Sequence, residues 1–390
     1  MAKERNDAEQ TAPKKRQKNT KRGRVLGFIL TGALTLLLVV LALLVFLHRD
    51  ELRGENLRRT FGRSTEQVLE SEAYTYETGT EALFATVGDG LAVASGSALQ
   101  LLDDAGKTVF KQLVSYAAPA VFAGKDAALF CDIGSKNAVW ANRLGESRAI
   151  VPSGNLLSAD MNQAGSYLLV TEAAGYKALV SVYNAEGELQ YEWWSGTGYV
   201  LRAVLSPDGR TLAVLCAENG GGRLHIFSLS SDKERAGVSF PGELPFDLRF
   251  MGSDTLCAVS QEGLRFLNTD GDDLGSHDFG GYYLTDYCLN SEHFAVVCVS
   301  AYRAGAGGML MTVYRSGEVL GWVELDRDVL SLDARGRQVL VMTGNSLDLY
   351  GQSMGLQHSA EQLMTAKRAL LRDRGDVLLL SAYAAERVKF

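Results

Sequence analysis

The stretch YVLRAVLSPDGRTLAVLCAENGGGRLHIFSLSSDKERAGVSF, from Tyr199 to Phe240, decides the fold. It divides into four segments of strand character, at 199–205, 211–216, 223–229 and 234–240. Ser206-Pro207-Asp208-Gly209 joins the first two. Pro207 presets φ for that turn and Gly209 permits the tight return. The second segment, TLAVLC, is apolar at nearly every position and too short for a helix. A strand buried on both faces reads this way.

Runs of the same kind recur along the chain. They are LAVA from Leu91, ALFC from Ala128, LLVT from Leu168, AVLC from Ala213, CAVS from Cys257, VVCV from Val296, LVMT from Leu340 and LLLS from Leu378. Successive starts are 37, 40, 45, 44, 39, 44 and 38 residues apart. Self-similarity at about 40–45 residues marks propeller blades, each a four-stranded sheet. Glycine-containing turns keep the same phase, at Gly106, Gly145, Gly187, Gly271, Gly317 and Gly355. There Gly supplies the positive φ that a hairpin needs. Each unit therefore reads strand a, strand b, strand c, turn, strand d. The expectation is an all-β propeller of eight four-stranded blades, or seven if one degenerate run is misassigned.

The two ends of the repeat are complementary. Only one further strand follows the eighth run, so the last blade lacks its fourth. Residues 70–78, in which Tyr74 and Tyr76 alternate with polar residues, form a strand without a blade. Pairing the two would close the ring and remove an open sheet edge.

The Ser206-Pro207-Asp208-Gly209 turn resembles that of WD40-like, TolB-like and YncE-like propellers, and the resemblance covers the chain from about residue 70 onward. The Trp-Asp and Gly-His dipeptides of true WD40 blades are absent. The whole layout also resembles bacterial membrane-anchored propellers grouped as domain of unknown function 5711. That resemblance implies a Gram-positive cell-surface protein and no assigned activity.

Val25 to Leu47, VLGFILTGALTLLLVVLALLVFL, carries no charge over 23 residues. As a helix it would span roughly 34 Å, enough for the hydrocarbon core of a bilayer. The run is longer than a signal-peptide core and ends in Phe46-Leu47-His48-Arg49 without a small-residue cleavage site. An uncleaved transmembrane helix is expected, with the lipid bilayer as a partner. Lys14, Lys15, Arg16, Lys18, Lys21, Arg22 and Arg24 precede it, so the positive-inside rule sets residues 1–24 as a cytoplasmic tail. Residues 48–69 would be a juxtamembrane stalk and 70–390 an extracytoplasmic propeller, in a single-pass protein of the cell membrane.

Charge and motifs exclude several functions. Residues 64–390 carry a net −15, which argues against nucleic acid as a partner. The five cysteines, Cys131, Cys216, Cys257, Cys288 and Cys298, include no CxxC pair and read as small buried hydrophobes. Gly351-Gln352-Ser353-Met354-Gly355 matches the GxSxG pattern of serine hydrolases but falls in a hairpin, without the strand–elbow–helix that the pattern needs. Asn268-Thr269-Asp270-Gly271-Asp272-Asp273 resembles the start of a calcium loop, but Phe279 stands where the closing Glu belongs. No two of the five histidines have metal-ligand spacing, and no catalytic, metal or cofactor set is legible.

The b–c and d–a connections of a propeller emerge on one face. The longest b–c connections are read as 218–222 and 301–308. With the nearby d–a positions they bring Trp194, Tyr199, Glu218, Asn219, Tyr282, Tyr283, Tyr302 and Arg303 to that face over blades four to six. Aromatics among polar neighbours suit a protein or glycan partner. The expected function is a binding or scaffold module. A propeller enzyme acting on glycan or peptide, or a sensor ectodomain signalling through a partner, are the alternatives.

Overall fold

The computed structural model describes residues 69–77, 82–303, 307–361 and 366–390. All belong to one compact unit, from Glu66 to Phe390. The basic tail, the apolar span 25–47 and the stalk up to residue 68 lie outside the described residues. Among the described residues no helix is long and apolar enough to cross a membrane.

Eight four-stranded antiparallel sheets follow one another along the chain. Blade one covers residues 82–113, two 119–150, three 156–195, four 199–241, five 247–278, six 283–325, seven 331–361 and eight 368–388. The count is eight, not seven. Neighbouring blades touch through their first strands, which sets strand a at the ring axis. Each of the eight apolar runs lies in a strand b or at its end. Six of those strands, from Gly90–Ser95 in blade one to Val377–Leu380 in blade eight, are buried at every position. A strand between two neighbouring blades has no face left for water, which is why these segments do not alternate.

The core is correspondingly divided. Eight apolar clusters form, one between each pair of neighbouring blades. Leu168, Val170 and Val180 of blade three, for example, pack against Leu212 and Val214 of blade four. Each such side chain contributes about 1.5–3 kcal/mol on burial.

The c–d turns repeat one chemistry. The side-chain oxygens of Asp103, Asn142 and Asn268 each accept hydrogen bonds from the backbone amides two and four residues on. Gly106, Gly145 and Gly271 then take φ of +80°, +85° and +83°. These turns press on strand d of the preceding blade. A side chain on Gly275 or Gly321, both in strands d, would collide with the backbone of Ser316 or Ser353 in the next blade's turn.

Ring closure joins the two ends. Blade eight takes Arg368–Leu371, Val377–Leu380 and Ala384–Val388 from the C-terminus, and its outermost strand is Leu69–Thr75. This strand runs antiparallel to Ala384–Val388, with Leu69 opposite Val388 and Thr75 opposite Ala384. It is shorter than the 70–78 read from the sequence. Tyr76, just beyond it, donates to the carbonyls of Ser381 and Ala384.

Arg372 locks the joint. Its side chain is fully buried. The guanidinium donates to both oxygens of Asp376, to the Tyr74 hydroxyl at 2.7 Å and to the Asp89 carbonyl of blade one at 2.7 Å. The Tyr74 hydroxyl in turn donates to the carbonyl of Asp104 in blade one. Arg387 pairs with Asp376 from strand c. Burial alone would raise Asp376, but the bonds from Arg372 and Arg387 hold its carboxyl below the ordinary 3.8.

Two outcomes are expected. Arg372→Ala leaves the Asp89 carbonyl and one oxygen of the buried Asp376 carboxylate without a donor, with Arg387 still holding the other oxygen. Chemical denaturation should therefore read a loss of about 3 kcal/mol, the low end for a broken buried pair. A carboxyl with a lowered folded value stabilises fully above its ordinary value and loses that contribution as pH falls through the lowered one. The thermal midpoint should therefore fall as pH drops below 3.8, and Asp376→Asn should flatten that part of the profile.

Candidate binding face

The b–c and d–a connections define one face of the ring. Most b–c connections are two to four residues long, but those of blades three and six, 172–177 and 301–307, are longer. The sequence reading of 218–222 as a long loop is corrected. Strands Thr211–Glu218 and Gly221–Ser228 pair up to Glu218 opposite Gly221, leaving Asn219 and Gly220 as a two-residue hairpin. The glycine triplet does not loosen a loop. It lets strand c run beside the end of strand d, where a side chain on Gly221 would strike the Phe240 carbonyl and one on Gly222 would meet the Pro245 ring.

The predicted residues form two groups, with blade five between them. In the first, Trp194 ends an outer strand (Leu189–Ser195) and Tyr199 begins the next inner one (Tyr199–Leu205). Both are exposed, at 45% and 61%. They are organised by two residues that sequence reasoning missed, Tyr176 and Lys177 of the long blade-three connection. The Tyr176 ring lies 5.0 Å from that of Trp194 at an interplanar angle of 54°. The Lys177 ammonium sits 4.4 Å over the Tyr199 ring and donates to its hydroxyl at 3.0 Å. Such cation–aromatic contacts contribute about 0.5–1 kcal/mol at exposed sites. The sequence shows the wide gap between the LLVT run and the following strand, but not where that gap carries this pair.

Glu218 points another way. Its carboxylate accepts from the Thr197 hydroxyl at 3.4 Å and lies 3.6 Å from His225, whose other ring nitrogen is 3.0 Å from Glu234. Asn219 is exposed at the hairpin tip. In the second group, Arg303 lies 5.2 Å over the Tyr283 ring. Tyr282 and Tyr302 are exposed, Tyr302 at 73%. Other aromatics of the region, Tyr191, Trp193 and Phe227, pack between blades three and four instead.

The inner strands carry three carboxylates engaged across blades, two by arginine and one by neutral donors. Asp160 of blade three meets Arg249 of blade five at 3.2 Å and accepts from the Leu205 amide of blade four. Asp247 of blade five meets Arg202 of blade four at 3.2 Å and accepts from the Tyr287 hydroxyl of blade six at 3.0 Å. Asp333 accepts from Asn290 of blade six and from the Leu371 amide of blade eight, both at 2.8 Å. Burial pushes the carboxyls of Asp160 and Asp333 up, against the charges and hydrogen bonds that lower them. These groups clip neighbouring blades together at the axis.

The remaining motifs are structural. Ser353 sits in a c–d turn closed by hydrogen bonds from the Gly351 amide to the Gly355 carbonyl and from the Met354 amide to the Gly351 carbonyl. Asn268 to Asp273 is the c–d turn of blade five. All five cysteines are buried free thiols, and burial pushes Cys131 and Cys216 up to about 12. A thiol held in its neutral form is a poor nucleophile. Among the described residues no three of His, Cys, Asp or Glu are grouped to hold a metal ion.

A closed ring of eight four-stranded blades, with an elaborated b–c/d–a face, defines an eight-bladed β-propeller. The chain belongs to the family of unknown function DUF5711, which it matches over residues 63–367. No curated protein matches it. Among solved structures it is similar to the crystal structure of BamB from Moraxella catarrhalis, with a TM-score of 0.54 at 12% identity over 82% of this chain and 96% of that one. It is also similar to the C-terminal WD40 domain of Sif2, with a TM-score of 0.56 at 10% identity over 81% of this chain and 96% of that one. At such identities the likeness is one of fold alone.

Proposed function

We propose that the chain is a membrane-tethered, extracytoplasmic binding module that captures a protein or cell-wall glycan on its b–c/d–a face. The observation that carries this reading is the set of exposed aromatics held in place on that face. Tyr176 and Trp194 are large, amphipathic and braced by each other, and Tyr199 is braced by Lys177. Tyr283 is braced by Arg303 in the same manner. Ordering these side chains before a partner arrives lowers the entropy lost on binding. Rigid aromatics near the centre of an interface are the residue types that dominate its energy. The engagement of Asp160, Asp247 and Asp333 with other blades favours a structural role for these carboxylates, and so binding over catalysis.

Tethering rests on the sequence. The uncharged run from Val25 to Leu47 is long enough to span a bilayer, and the basic residues before it favour a cytoplasmic N-terminus. The propeller would then face outward from a single-pass anchor.

The test uses the full chain in lipid nanodiscs, presented to solubilised cell-wall and membrane fractions. Saturable capture by the parent should weaken at least tenfold when Trp194 and Tyr199 are both replaced by Ala. A second double variant, Tyr283→Ala with Tyr302→Ala, tests the blade-six group. Capture that is unchanged in both variants contradicts the proposal.

A further inference from the structure

We infer that the junction of blades two and three holds a subsite for a neutral, hydroxyl-rich glycan, a specific form of the binding role proposed above. A cleft of about 470 Å³ opens there on the b–c/d–a face, lined by Lys136, Gly154, Asn155, Glu172, Ala173 and Ala174. It is shallow and open to solvent, so a ligand would lie along it rather than be enclosed. The sequence reading put the binding face over blades four to six, and this cleft lies outside it.

The cleft is built from three connections that brace one another. Lys136 belongs to the b–c connection of blade two, Asn155 to the connection between blades two and three, and Glu172 to the long b–c connection of blade three. The Lys136 ammonium donates to the Ser153 carbonyl at 3.0 Å. The Asn155 side-chain amide donates to one Glu172 oxygen at 2.9 Å, and the Glu172 backbone amide donates to the Asn155 carbonyl at 2.9 Å. Gly154 makes the close approach possible, because a side chain there would collide with the backbone of Glu172.

The chemistry of the lining selects the ligand. An ammonium and a carboxylate share the cleft, so its formal charge is balanced. A phosphate or carboxylate ligand would meet Glu172, and an amine would meet Lys136. A sugar hydroxyl is donor and acceptor at once and can use both. Lys136 keeps donor capacity beyond its bond to Ser153, since an ammonium has three. Glu172 keeps an acceptor oxygen beyond the one taken by Asn155. Ala173 and Ala174 leave room beside these groups.

The same turn extends the site. The Tyr176 amide donates to the Ala173 carbonyl at 3.1 Å, so the cleft wall and the Tyr176 ring are two ends of one turn. Tyr176 meets Trp194 beyond it. The negatively polarised face of an aromatic ring attracts the C–H bonds on the face of a sugar ring. An oligosaccharide with one residue in the cleft can lay the next units along this pair.

The test is calorimetric titration of the full chain in nanodiscs. The probes are neutral tetrasaccharides of glucose and of N-acetylglucosamine, their phosphorylated forms and the de-N-acetylated amine form. Saturable binding of at least one neutral probe is expected, tighter than that of its charged counterparts. Lys136→Ala and Glu172→Ala should each weaken it at least tenfold, and Tyr176→Ala by three- to tenfold. Both cleft side chains are exposed, so the thermal midpoint should stay at the parent value. The proposal is overturned if no neutral probe saturates, if a charged form binds tighter, or if both cleft variants bind like the parent. Failure here with capture still lost in the Trp194/Tyr199 variant removes the glycan subsite alone. Failure of both removes the binding face as well.

Discussion

Everything in this ring depends on one antiparallel strand pair, Leu69–Thr75 against Ala384–Val388, and on the buried guanidinium behind it. A propeller has no single core. It has a series of blade-to-blade interfaces, and the last of them exists only if the ends of the chain meet. The cluster that joins blade eight to blade one contains Tyr74, Leu378 and Leu380 on one side and Leu91, Val93 and Leu102 on the other. Without the N-terminal strand, Tyr74 leaves this cluster and the Arg372 site at the same time. Blade eight would keep three strands and gain an unpaired edge. A buried Arg–Asp pair is a poor source of raw stability, but breaking it is expensive. Such a device penalises the open ring more than it rewards the closed one.

The division of the core also determines what the face can display. Strand b of each blade is covered on both sides, and the c–d turns are pressed against the preceding strand d, with glycine where the backbones come closest. Side chains in those places serve packing. Freedom is left at the b–c and d–a connections, whose lengths vary from blade to blade. The longest fully described b–c connection, 172–177, supplies a wall of the cleft and braces the exposed aromatics. The rigid ring thus presents a few adaptable segments, and the chemistry of binding is concentrated on them.

The fold was legible because burial on both faces removes alternation. Eight runs without alternation, spaced at a near-constant interval, fit a ring of stacked sheets and little else. The c–d turns were legible from Gly106, Gly145 and Gly271, whose positive φ the backbone requires. Blade four was read strand by strand, yet its hairpin was misread. Gly220, Gly221 and Gly222 look like a loose loop in sequence; the approach of Phe240 and Pro245 accounts for Gly221 and Gly222, and the positive φ of the hairpin for Gly220. Tyr176 and Lys177 were missed because nothing local says that an Ala-Ala-Gly turn carries them to Trp194 and Tyr199. Arg372 was invisible for a related reason. In sequence it is one charged residue in an Arg-Asp-Arg-Gly-Asp turn, and its burial arises from partners nearly 300 residues away.

The closure is tested most directly by a cross-link. Thr75 and Ala384 are cross-strand partners, and the separation of such pairs lies within reach of a disulfide. The native thiols are all buried, so a full-length Thr75→Cys/Ala384→Cys variant has one accessible pair. Mild oxidation of the folded protein should produce an intramolecular bond, mapped by peptide mass spectrometry, and should raise the denaturation midpoint. A variant that stays reduced while folded, or that forms only intermolecular dimers, would contradict the closed ring.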